Sequence, residues 1–149
     1  MGMNVANFKQ ALDEFSEQEI PYQWKRQTID IIVFLFVTIK ARNPWLTGHS
    51  HNNWSVSIGT PTIEERGERD EPNRSTTARD ISEQQVRVQL GAMKQGWGAK
   101  QGNFDIVWVY NNVPYVQALE NGHSGQAPEG FIGIAIEETR TYIQMRRYI

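Results

Sequence analysis

Glu120, His123 and Ser124 fall within five consecutive residues, Glu-Asn-Gly-His-Ser, and a carboxylate, an imidazole and a hydroxyl are the side chains of a serine hydrolase. A working triad holds the imidazole between the other two groups. Because His123 and Ser124 are adjacent, an extended backbone sends their side chains to opposite faces. A nucleophile elbow has a glycine two residues before and two after its serine. Gly122 satisfies the first position, but Gly125 follows Ser124 directly. His49 and His51, in Gly-His-Ser-His, offer with distant His123 three nitrogens that zinc could use. Ser50 and Asn52 beside them mark a polar turn with no carboxylate nearby to orient a ring, so the expected state is solvent-exposed turn histidines. The glycines of Gly-Ala-Met-Lys-Gln-Gly-Trp-Gly, from Gly91, lack the Lys-Ser or Lys-Thr of a phosphate loop and are better explained as helix stops. No metal and no cofactor is expected. A small metal-dependent or serine hydrolase built on His49, His51, His123, Glu120 or Ser124 is the alternative reading.

The elements that must position these groups follow from periodicity. Val5, Phe8, Leu12 and Phe15 recur at helical spacing, with Asn4 as N-cap, and predict an amphipathic helix over 5–19 that Pro21 breaks or restarts. From Tyr22 to Arg42 neither glycine nor proline occurs, which predicts a longer helix. Its apolar run over 31–37 needs cover on most sides, which leaves part of it to face a partner. Asn43 to Gly48 reads as a loop. Trp54, Val56 and Ile58 alternate with Ser55 and Ser57 as a half-exposed strand. Residues 60–80 hold four arginines, six acidic residues and two prolines, a composition that builds no core of its own. A helix over 81–95 carries Val86, Leu90 and Met93. The clearest strand, 104–112, ends in a turn at Asn111 and Asn112, followed by a short helical turn that Gly122 closes. Pro128 suits the first turn of a closing helix that runs to about Arg147. The fold class is α+β: a small, mostly antiparallel sheet packed with helices, a long N-terminal helical region and a long charged loop.

At 149 residues, 39% of them hydrophobic, the chain suits one domain with a substantial core, because two would both be marginal. A net charge of −2 argues against a protein whose main task is to grip phosphates. Zero cysteines remove disulfides and thiolate metal sites and fit assembly in a reducing cytoplasm. The N-terminal stretch lacks a secretion-signal pattern, and 31–37 is too short to span a bilayer. No membrane role is expected. The five tryptophans are not interleaved with basic residues as a single-strand platform would require, so they read as core or interface anchors.

Two stretches, Asn-Pro-Trp-Leu-Thr-Gly through Ile58-Gly59 and Val-Tyr-Asn-Asn-Val-Pro-Tyr through Phe131, carry a pattern. Thr47 and Gly48 precede the strand of Trp54; Asn111 and Asn112 precede Pro114 and Tyr115; then follow Leu119, Glu120, Gly122, Ser124, Ala127 and Pro128. In order and spacing this resembles the neck and tail-completion proteins of tailed bacteriophages, across the middle and C-terminal third of the chain. The resemblance implies a non-enzymatic virion protein at the head-to-tail junction, assembled in the host cytoplasm. There it would be a ring of six copies that joins head-completion and tail-tube neighbours while DNA passes without specific binding. Glu120 is then expected to accept backbone N–H bonds from the 123–130 loop or to pair with an arginine. Trp45, Trp97 and Phe131 are the expected interface residues, with Arg66, Arg69, Arg74 and Arg79 on an arm.

Overall fold

A computed structural model describes residues 5–45, 48–61, 84–89, 99–100 and 103–146. The described elements are α1 (Val5–Glu14), a π turn (Phe15–Glu19), α2 (Ile20–Arg42), α3 (His49–Asn52) and β1 (Trp54–Ile58). After these come a helical turn α4 over 84–89, β2 (Ala99–Lys100), β3 (Asn103–Phe104), β4 (Val107–Asn111), α5 (Val116–Glu120) and α6 (Ile132–Arg146). The class is α+β, with a small antiparallel sheet and a long N-terminal helix. Thr47, Trp97, Asn4 and the arm arginines Arg66, Arg69, Arg74 and Arg79 lie outside the described residues.

Pro21 does not break the N-terminal helix. A proline has no N–H to donate, and its ring collides with the carbonyl four residues back in a regular helix. Here the turn just before it widens instead, and the Ile20 N–H bonds to the Phe15 carbonyl, five residues back. Residues bonded across such a turn stack as i and i+4 do in an α-helix. Ile20 therefore follows Phe15 on one face, and Val5, Phe8, Leu12, Phe15, Ile20 and Trp24 form a continuous stripe. Its inner end, Trp24, packs on the core, whereas no residue of 5–19 is buried.

The core gathers Val33, Phe36 and Ile39 of α2, Trp54 and Val56 of β1, Val86 of α4, Ala127 and Phe131 from the turns ahead of α6, and Ala135 within it. α6 runs antiparallel to α2. Tyr142 stacks on Phe34 at 4.1 Å and donates its hydroxyl to Asp30 at 2.9 Å, while Arg42 pairs with Glu138. Burial first, and then the Asp30 carboxylate, push the Tyr142 phenol above its ordinary value, so it stays neutral as donor.

β1 pairs antiparallel with β4, Trp54 opposite Asn111 and Ile58 opposite Val107, and β2 with β3. The single strand expected over 104–112 is divided, because Asp105 and Ile106 leave the ladder between β3 and β4 and are exposed. The outer edge of β1 is also occupied. Gln89 Oε1 accepts the Val56 N–H at 3.0 Å and Gln85 Nε2 donates to the Trp54 carbonyl at 3.4 Å, so α4 satisfies strand groups that would otherwise recruit another chain. Ser57 is buried together with Val56, so β1 is not the half-exposed strand that its alternation predicts.

Candidate functional site

The two stretches that carry the family resemblance lie side by side. Their backbones meet in the β1–β4 ladder, and side chains lock the remainder. Asn111 Nδ2 donates to the Ser50 carbonyl at 2.7 Å, and its Oδ1 accepts the Val113 N–H at 3.0 Å, an Asx turn that leads the chain past Asn112 and exposed Pro114 into α5. Gln126 grips Trp45 at both ends, accepting its N–H at 2.9 Å and donating to its carbonyl at 2.8 Å. Beneath them Asn43 is wholly buried. Its Oδ1 accepts the Trp54 indole N–H at 2.9 Å, and its Nδ2 donates to Ser50 Oγ and the Pro44 carbonyl, each at 2.7 Å. Asn43→Ala strands the indole N–H in the core, so a loss of about 1–3 kcal/mol in unfolding free energy is expected by urea titration.

α5 ends as the glycine after it requires. The Gly122 N–H bonds to Leu119 O at 3.2 Å and the His123 N–H to Ala118 O at 3.1 Å, a Schellman closure with Gly122 at φ +84°. From there the chain makes two tight turns. Ala127 N–H bonds to Ser124 O and Gly130 N–H to Ala127 O, so Pro128 occupies the second place of a turn, where its fixed φ fits as well as in a helix. α6 starts only at Ile132, four residues beyond Pro128. The expectation of a first-turn proline is corrected accordingly.

This late start leaves α6 with Phe131 at the capping position, and phenylalanine has no capping oxygen. Glu120 supplies it from the neighbouring helix. Its Oε2 accepts the N–H groups of Phe131 at 2.8 Å and Ile132 at 2.6 Å, and its Oε1 that of Gly133 at 2.9 Å. An anion at a helix N-terminus also meets the positive end of the helix dipole. Burial raises the Glu120 pKa, but the three N–H bonds outweigh it and hold the carboxyl below its ordinary value. The acceptor role expected for Glu120 is present, with donors at 131–133 instead of 123–130.

Several expected positions change. Phe131 is 1% exposed and meets Trp54 edge to face at 6.2 Å, so it is a core residue and no interface anchor, because the turn at Gly130 directs it inward. Trp45 is half-buried, edge-on to His51 at 4.7 Å. His49 and His51 are not solvent-exposed turn residues. They belong to α3, His51 is buried, and His49 lies 6.2 Å from the exposed Tyr115 ring. Gly48 starts that helix at φ +80°. Among the described residues no group of His, Asp or Glu has a metal-holding arrangement. Ser124 Oγ accepts the Gln126 N–H at 3.2 Å. Gln85, Gln89, Gln126 and Asn43 escaped sequence reasoning, since lone amides carry no periodic signal.

The fold and this junction define a small α+β domain whose helix and strand ends are bound into one polar elbow. Searches against family models, curated proteins and solved structures find no match to the chain.

Proposed function

We propose that the chain is a virion structural protein of the head-to-tail connector of a tailed bacteriophage. In this reading it assembles as a ring of six copies around the DNA conduit, completes or terminates the tail, and joins it to the head. The sequence resemblance supplies the class. The observation that carries an assembly role is the N-terminal arm, where Val5, Phe8, Leu12 and Phe15 are 85%, 53%, 49% and 56% exposed along one stripe. A helix whose apolar face is uncovered has its complement elsewhere. Two of the hydrolase-like triplet have structural work instead, Glu120 capping α6 and Ser124 fixing a turn. Among the described residues no helix is long and apolar enough to cross a membrane. The near-neutral net charge suits a conduit that DNA traverses without adhering.

Extracts in which the encoding gene is disabled are expected to accumulate separate filled heads and tails, which the purified protein then joins. Joining that proceeds equally without it overturns the proposal. Ser124→Ala is expected to cost at most about 1 kcal/mol and to leave joining intact. A hydrolytic activity that vanishes with Ser124→Ala while joining persists would favour the enzyme instead.

A further inference from the structure

The β1–β4 sheet has one covered edge and one open edge. The Gly59 N–H bonds to the Ile106 carbonyl at 2.8 Å, and bonded positions alternate along an antiparallel ladder. Trp108 and Tyr110 therefore turn their backbone groups to β1, whereas Val107, Val109 and Asn111 turn theirs away. On β1 the outward Val56 N–H and Trp54 carbonyl are taken by Gln89 and Gln85. Among the described residues nothing pairs with the outward backbone groups of β4.

A strand edge that is to stay single is usually blunted by a lysine, a proline or a bulge. Val-Trp-Val-Tyr-Asn has no lysine, no proline and no charge, and it runs through the ladder with β1 without a bulge. Val107 and Val109 pack against the core, while the opposite face presents Trp108, 41% exposed, close to Ile106, 63% exposed. The Gly59 carbonyl accepts the Trp108 indole N–H at 2.6 Å, which holds the ring in that exposed position. An open edge thus lies beside an exposed apolar face.

We propose that β4 pairs antiparallel with β4 of a second copy, about a two-fold axis at Val109, to give one four-stranded sheet. The covered edge of β1 selects this occupant, because the sheet of another copy can meet the open edge only through its own β4. The same cover ends the sheet at four strands, so pairing closes and does not propagate. Centring on Val109 overlaps all of β4 and allows up to about six N–H···O bonds between the copies. It sets Val107 opposite Asn111 of the second copy, and Trp108 opposite its Tyr110 as an aromatic pair on the exposed face. No like charges meet in that register. The inference goes beyond the ring reading. A two-fold pair has no direction and a head-to-tail junction has one, so the pair is the state of the free chain and is distinct from the ring contact. Pairing by a chain without a junction role sinks only the ring reading, and joining by a chain that never pairs sinks only this one.

Sedimentation velocity on the purified chain is expected to show a monomer–dimer equilibrium in the micromolar range. Trp108→Lys with Tyr110→Lys sets cations opposite each other across the two-fold axis and should raise the dissociation constant by roughly tenfold or more. Trp108→Lys with Tyr110→Glu should restore most of the affinity, since each new cation then meets the new anion of the other copy. Circular dichroism checks that both variants are folded. Amide exchange followed by NMR needs no substitution. In the paired parent the Val107 and Val109 amides should be protected to within about tenfold of those of Trp108 and Tyr110, which are bonded to β1 in either state. A parent that stays monomeric throughout that range overturns the proposal, as do Val107 and Val109 amides that exchange like those of an open edge. So do pairing that survives the two lysines and a folded charge swap that fails to restore it.

Discussion

Gly130→Ala is expected to lower the unfolding free energy by about 2–4 kcal/mol, which joins the strain of a left-handed backbone to that of overpacking. Gly130 sits at φ +80°, and a Cβ there would lie 2.4 Å from the Glu120 carbonyl oxygen and 3.0 Å from Glu120 Oε2. Neither neighbour can yield freely. The carbonyl belongs to the last residue of α5, and the carboxylate oxygen holds two N–H groups of α6. Gly122 has the same double constraint, at φ +84° with its added Cβ 2.3 Å from the Pro128 carbonyl oxygen. Gly59 separates the two contributions, since it has φ +83° but nothing within 4 Å of the added atom. Gly59→Ala should therefore cost only about 1 kcal/mol. Urea titrations of the three variants give the comparison. Equal losses would mean that backbone conformation alone matters and that the elbow is not tightly packed.

Glu120→Ala should destabilise the fold by about 2–3 kcal/mol, because the N–H groups of Phe131, Ile132 and Gly133 lose their acceptor together. Glu120→Gln should cost less. Its amide oxygen can serve Phe131 and Ile132, while its NH2 group faces the Gly133 N–H, donor against donor. The pH dependence separates the charge from the hydrogen bonds. The folded-state pKa of Glu120 lies below the unfolded one, so its contribution is complete above the ordinary glutamate value of about 4.3 and disappears as pH falls through the folded value. Thermal melts taken downward from neutral pH should show the parent losing its advantage over Glu120→Gln in that acid range. A constant difference between the two at every pH would show that the carboxylate charge contributes nothing.

Several features were legible in the sequence because they follow from period and local chemistry. The amphipathic spacing of 5–15, the alternation of 54–58 and the glycine after Glu120 each encode their element in neighbouring residues. What escaped depends on residues far apart. Nothing near Phe131 indicates that a carboxylate eleven positions upstream caps its helix, and so Phe131 reads as exposed aromatic surface when it is core. Pro128 is equally at home in a turn and in a helix start, and only the Ala127–Gly130 bond chooses between them. Pro21 reads as a break because proline usually is one, and a wide turn that absorbs it leaves no mark in periodicity over so short a span. The cover on the outer edge of β1 comes from a helix some thirty residues later that reaches the strand through two glutamines.

The wide turn at Phe15–Glu19 also governs which length changes the N-terminal region tolerates. It houses one residue more than an α-helix would place there, at the expense of one ladder hydrogen-bond register, while holding the stripe on either side in phase. Deleting a residue inside it leaves the arm facing as before but returns the turn to ordinary α geometry, in which the Pro21 ring meets the carbonyl four residues back. Deleting a residue anywhere else between Ile20 and Ile39 swings everything upstream by about 100° around the rod and turns Val5, Phe8, Leu12 and Phe15 toward a different quarter. One turn of a helix 38 residues long therefore sets both the fit of its proline and the quarter toward which its apolar stripe faces.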